Sequence, residues 1–197
     1  MQSIDKMIVS RIYGSGRGAV FTATQFLDIG SRRTVDVTLH RLVKAGTIRR
    51  LTRGLYDYPK QHPDFGVLFP SPEVVAKALA GKDAIRFQPS GAYAANLLGL
   101  SEQVPAKIVF LTDGRAKRVK IGRQEIILKR TSPRNMATAG RLSGLIIQAL
   151  RFLGKAHVDA KIIARLKQKL GDTDARSLLK DMAYAPTWIG DILRQLA

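Results

Sequence analysis

The sequence predicts an α+β fold in two parts, and three observations carry the prediction. A basic amphipathic helix over residues 31–44 runs directly into two short alternating segments joined at Arg53-Gly54. A stretch with four prolines and no sustained periodicity, residues 59–72, then marks a connector, so the domains read as residues 1–62 and 63–197. Beyond it, a mixed α/β segment with a second basic β-hairpin gives way to apolar residues at helical spacing, the pattern of a C-terminal helical bundle.

Taken in order, Ser3 caps a first helix whose buried stripe is Ile4, Met7, Ile8 and Ile12, stopped at Gly14. The run Gly14-Ser15-Gly16-Arg17-Gly18 lacks the Gly-Lys-Ser/Thr ending of a phosphate loop and follows no strong strand, so it reads as a flexible turn. A Gly-Ser pair also opens the nucleotidyltransferase motif, which needs paired carboxylates downstream to hold metal. The next acid here is a lone Asp28, and that reading fails. Thr22 with Gln25 three residues on predicts a short helix opened by a capping box, with Phe26, Leu27 and Ile29 as its core contacts. Gly30 makes the turn into the next helix.

Ser31 caps that helix, and Val35, Leu39, Leu42 and Val43 form its apolar stripe. Arg33, Thr34, Val37, Arg41 and Lys44 fall on the opposite side. An outward Val37 among arginines is odd for a merely solvated face. It suits a helix lying in a major groove, where arginine reads guanine edges and small apolar groups touch the thymine methyl. Ala45-Gly46 ends the helix, and residues 47–51 and 55–58 predict a hairpin with the positive tip Thr52-Arg53-Gly54. The order of parts is that of a winged helix-turn-helix. Arg32, Arg33, Thr34 and Val37 occupy the first two turns, where base contacts concentrate. Arg41, Lys44, Arg49, Arg50 and Arg53 are expected to hold phosphates and set register. His40 either contacts a phosphate or is simply exposed.

Three pieces of this region carry a family likeness: Thr34-Val35, Leu39-x-x-Leu42-x-x-x-Gly46-x-Ile48, and Arg53-Gly54-Leu55-Tyr56. On these residues the chain resembles the AbiEi-type antitoxins of bacterial type IV toxin–antitoxin operons. The winged-domain match covers roughly the first third of the chain, and the remainder rests on the general order of parts. The resemblance implies a repressor that binds double-stranded DNA at inverted repeats upstream of its own operon. It further implies a C-terminal domain that counters a nucleotidyltransferase-like toxin. Paired half-sites would need two copies, so a homodimer on DNA is expected.

Composition agrees with a polyanion partner. The 197 residues carry a net charge of +18, and the basic excess is +7, +6 and +5 over residues 1–62, 63–135 and 136–197. Charge spread this evenly is not a basic tail; it is the footprint of a nucleic-acid binder more than of a merely soluble surface. With no cysteine there is no disulfide framework, thiolate nucleophile or cysteine-ligated zinc. No apolar run reaches membrane-spanning length, the longest being interrupted by Gln148 and Arg151, and no signal-peptide core opens the chain. A bacterial cytoplasmic protein with no membrane partner is expected.

In the second part, the apolar cluster Phe65, Val67, Leu68 and Phe69 predicts a connector packed down onto the protein. Ser71-Pro72-Glu73 opens a helix through Val74, Val75 and Leu79, and Ser90 caps another through Tyr93, Leu97 and Leu98. Residues 107–112 read as a buried strand stopped at Asp113-Gly114. Residues 117–121 and 125–129 form the second hairpin, joined at Gly122-Arg123. Arg115, Lys117, Arg118, Lys120 and Arg123, with Lys129 and Arg130, make it either a second nucleic-acid patch or a sheet edge guarded by charge against aggregation. Residues 142–153, 159–170, 172–184 and a last helix capped by Thr187 complete the bundle, with Tyr184 and Trp188 read as closing its core.

No catalytic constellation stands out. His40, His62 and His157 are scattered, and no nucleophile elbow or Walker sequence is present. Asp172 and Asp174 lack a third metal ligand and sit where carboxylates favour a helix start. The expectation is a non-enzymatic protein without cofactor or metal. Two other readings remain at this stage. An RNA-binding module using both hairpins would want exposed aromatics, and aromatics are only 7% of residues. A stand-alone winged-helix regulator or interaction module without a toxin partner is the other.

Overall fold

In the computed structural model, which describes residues 3–81, 86–171 and 174–197, the chain begins with helix α1, Ile4–Gly14. The Ser3 hydroxyl accepts the Lys6 amide, and Ile8 and Ile12 are buried one turn apart. Strand β1, Val20–Thr22, follows, then a 3-10 turn, Ala23–Phe26. The sequence had suggested a capped helix at Thr22. The Thr22 hydroxyl instead meets Thr24 Oγ1 at 2.7 Å and makes no backbone cap.

Helix α2, Arg32–Lys44, is capped by Ser31, whose Oγ accepts the Thr34 amide at 3.2 Å. Strands β2, Arg49–Thr52, and β3, Leu55–Asp57, then pair antiparallel, and β1 adds to β3 to give the order β1-β3-β2. Gly54, at φ +76°, makes the turn between β2 and β3. Ile8, Ile12, Phe21, Phe26, Val35, Leu39 and Ile48 close one core. At roughly 1.5–3 kcal/mol for each large apolar side chain fully buried, this stripe-on-stripe packing is the main force holding α2 in place.

Residues 59–71 form a short hairpin of β4, Gln61–His62, and β5, Gly66–Val67. The sequence predicts this segment packed down, and its aromatics are not: Phe65 is 77% and Phe69 67% exposed. The backbone is nonetheless tied to the strands, because Leu68 N donates to Lys60 O and Arg49 Nη2 donates to Leu68 O, both at 2.9 Å. Helix α3, Pro72–Ala80, packs on β1. Accordingly the first compact unit comprises Met1–Ala84 with Val119–Ile121, where the prolines had suggested a division at residue 62. The second comprises Ile85–Arg118 with Gly122–Ala197.

A four-stranded sheet of order β6-β7-β9-β8 is formed by β6, Phe87–Ser90, β7, Lys107–Thr112, β8, Lys117–Ile121, and β9, Gln124–Arg130. Strands β7 and β9 run parallel. Helix α4, Gly91–Leu97, packs on β7 and on α6, Leu142–Leu153; a single turn, α5, Pro133–Met136, precedes α6. Helices α7, Ala160–Lys167, α8, Asp174–Asp181, and α9, Thr187–Leu196, complete a helical cluster around Ile146, Leu150, Leu166, Leu178, Ile189 and Leu193. Trp188 packs against that core. Asp172 lies outside the described residues. Asp181, fully buried, accepts bonds from Arg141 Nη1 and Ser143 Oγ, each at 2.5 Å. Among the described residues no helix is long and apolar enough to cross a membrane.

Candidate nucleic-acid interface

Helix α2 presents two unlike faces. Val35 and Leu39 are fully buried, while Arg32, Arg33, Arg41 and Lys44 are exposed, and Val37 is 43% exposed. The spacing that buries one stripe therefore turns the other outward, as the sequence predicts. Thr38 is the exception on the wheel: it lies beside Leu39 and is buried, and its hydroxyl donates to Asp5 Oδ1 as well as to Thr34 O at 3.0 Å. Its position three residues after Val35 was the signal for burial.

The cations differ in how free they are. Arg32 Nε reaches both oxygens of Asp36 at 2.9 and 3.0 Å, an i,i+4 pair readable in the sequence as Arg-x-x-x-Asp. Arg41 Nη1 donates to Asp5 Oδ2 at 3.3 Å. Both pairs are solvent-exposed and worth about 0.2–1 kcal/mol, so an arriving phosphate can displace either carboxylate. Arg33 and Lys44 have no carboxylate partner among the described residues. Thr34 is half-buried, and its hydroxyl meets the Ser31 Oγ at 2.9 Å.

On the hairpin, Arg50 and Arg53 are exposed and carry no ion pair among the described residues. Arg49 is different. Its guanidinium grips the buried Asp57 at 2.6 and 3.1 Å, donates to Leu68 O, and lies 4.7 Å from the Phe69 ring centre. The assignment of Arg49 to a phosphate is therefore corrected: it neutralises a carboxylate only 1% exposed. Successive strand residues face opposite ways, so Arg49 and Arg50 could never both have turned outward. Arg11 braces the turn before α2, with Nη1 and Nη2 each 2.7 Å from Asp28; that side-chain bonding holds its guanidinium above its ordinary pKa.

Arg115, Lys117, Arg118, Lys120 and Arg123 are all exposed, and Val119 and Ile121 alternate inward. Arg118 Nε lies 3.3 Å from Glu125 Oε1. Strand β8 ends the sheet order, which is where charge guards an edge.

This geometry is that of an α+β protein with a basic helix face and a basic hairpin turned to solvent. The chain belongs to the family described as "Family of unknown function (DUF6088)", whose model matches residues 7–178. A search of curated proteins found no match. Among solved structures the chain is similar to the RV2827C protein from Mycobacterium tuberculosis. The identity is 14% and the TM-score 0.43, over 100% of this chain and 82% of that one.

Proposed function

We propose that the first unit is a winged helix-turn-helix and that the protein is a cytoplasmic, non-enzymatic DNA-binding repressor, the antitoxin of a bacterial toxin–antitoxin operon. The observation that carries the DNA-binding part is the outward face of α2, where Arg33, Val37 and Lys44 stand free beside Thr34. Arg33 and Val37 would read base edges from the first turns of α2, while Arg41, Lys44, Arg50 and Arg53 would hold phosphates. The sheet order β1-β3-β2, with α1 before it and α2 between β1 and β2, supports the winged-helix reading. The net charge supplies the sequence-independent part of affinity.

The antitoxin part rests on the likeness of Arg53-Gly54-Leu55-Tyr56 and its companions to AbiEi-type antitoxins. On that reading the chain binds inverted repeats upstream of its own operon, as a dimer across two half-sites, and opposes a nucleotidyltransferase-like toxin. The test has two arms. Footprinting on the gene's own upstream DNA should protect paired half-sites about one helical turn, or a multiple of it, apart. Co-expression with the product of an adjacent gene bearing nucleotidyltransferase signatures should restore growth. Protection without rescue would leave a plain repressor; rescue without protection would leave an antitoxin that does not repress from this DNA; the absence of both would remove both parts.

A further inference from the structure

The segment after β3 carries an apolar surface that the DNA-binding reading does not use. Phe65, Phe69, Val67 and Val74 are all exposed within ten residues, the two phenylalanines by 77% and 67%. Two of them, Phe69 and Val74, line an open concavity of about 500 Å³, together with Leu68, Pro70, Arg17 and Lys60. Exposed aromatics grouped in this way are rare on a monomer's surface and mark places where another surface belongs.

The walls are held in place before any partner arrives. Arg17 lies over the Tyr58 ring at 4.8 Å and donates to Pro59 O at 3.1 Å. Phe69 is backed by the Arg49 guanidinium, itself locked by Asp57 and Leu68 O. These two cation–aromatic contacts hold Arg17 and Phe69, both on the lining, in place, which lowers the ordering cost of binding. Asp57, the one acid lining it among the described residues, is already neutralised by Arg49, so the charge these residues offer is that of Arg17 and Lys60.

We infer that this concavity is a docking site for an acidic segment of a partner protein, one that inserts a leucine or aromatic anchor and places carboxylates against Arg17 and Lys60. Charge complementarity selects this occupant. A second copy of the chain, at +18, would bring like charge to a basic rim. A duplex would satisfy Arg17 and Lys60 but has no protruding apolar group to fill the space over Leu68 and Val74.

Display of random peptides against the immobilised full-length protein, followed by fluorescence anisotropy with the best binder, tests this. Enriched sequences should carry a large apolar anchor flanked by Asp or Glu. Phe69→Ser should weaken the binder by about thirtyfold, the loss of one hot-spot side chain. Lys60→Glu should weaken it as well and remove or reverse the preference for acidic flanks, while Arg33→Ala should leave it unchanged. Because Phe69→Ser also uncovers Arg49, Val74→Ser and Lys60→Glu, both on the lining, serve as the variants that leave the Arg49–Asp57 pair untouched. Enrichment without acidic residues, binding indifferent to Val74→Ser and Lys60→Glu, or binding competed by duplex DNA and lost in Arg33→Ala would each overturn the assignment.

Discussion

Asp5, in the first turn of α1, accepts the hydroxyl proton of buried Thr38, in the middle of α2, and so fixes the face that α2 turns to solvent. The same carboxylate reaches Arg41 one turn further along. Asp5→Ala leaves the Thr38 hydroxyl with only the Thr34 carbonyl. It should lower stability by about 1–2 kcal/mol, read as a lowered urea midpoint at unchanged m-value. Thr38→Val in the same background should add less than it does alone, since both remove one bond.

Neighbouring arginines on β2 should separate cleanly in mutagenesis. Arg49→Ala strands the buried Asp57 and should cost about 3–5 kcal/mol of folding stability. Arg50→Ala should change stability by no more than about 0.5 kcal/mol while weakening DNA binding. Equal thermal melts for the two variants would contradict the division of labour between the two side chains.

In the second unit, Gly144 is a close-packing position. A Cβ there would collide with the Thr138 carbonyl and come within 2.8 Å of Thr138 Oγ1 and 2.9 Å of Gln88 Oε1. The obstacle is backbone and buried polar atoms, which cannot swing aside. Gly144→Ala should therefore destabilise by about 3 kcal/mol or more, checked by denaturant unfolding, although alanine is otherwise the better helix former.

Asp113 gives a pH signature. Burial pushes its carboxyl upward, but hydrogen bonds from the Arg86 side chain and amide, both at 2.9 Å, outweigh it and hold the pKa below the ordinary carboxylate value of 3.8. A group depressed on folding stabilises fully above its unfolded value and loses that contribution as pH falls through its folded one. Wild type should thus exceed Asp113→Asn in stability at neutral pH, with the gap closing only below pH 3.8. A gap that closes already near neutrality would implicate another group.

What the sequence made legible follows from local physics. Ser3 and Ser31 cap helices where the apolar stripes begin, and Gly54 sits at the hairpin turn, so α1, α2 and the first hairpin can be read without tertiary knowledge. Strand β1 could not be, because three residues are too few for a period of two to register, and its pairing with β3 reaches across 35 positions. Strand β6 was masked by Pro89, which is tolerated there because β6 is an edge strand. At the candidate interface, the outward face of α2 follows from its helical period. The loss of Arg49 to Asp57 depends on β2–β3 register, which places the two residues opposite each other. The exposure of Phe65 and Phe69 ran against their apolar character, as it does where a surface is kept for a partner.

The central claim, that the free face of α2 reads duplex DNA, is tested most directly by anisotropy titrations of the protein on its own upstream DNA over a range of salt. With wild type, Arg33→Ala and Lys44→Ala compared, Arg33→Ala should cost about 1–3 kcal/mol and relax base preference at one position in each half-site. Lys44→Ala should weaken all sequences alike and reduce the slope of log affinity against log salt by about one. Unchanged affinity, base preference and salt slope in both variants would contradict the account.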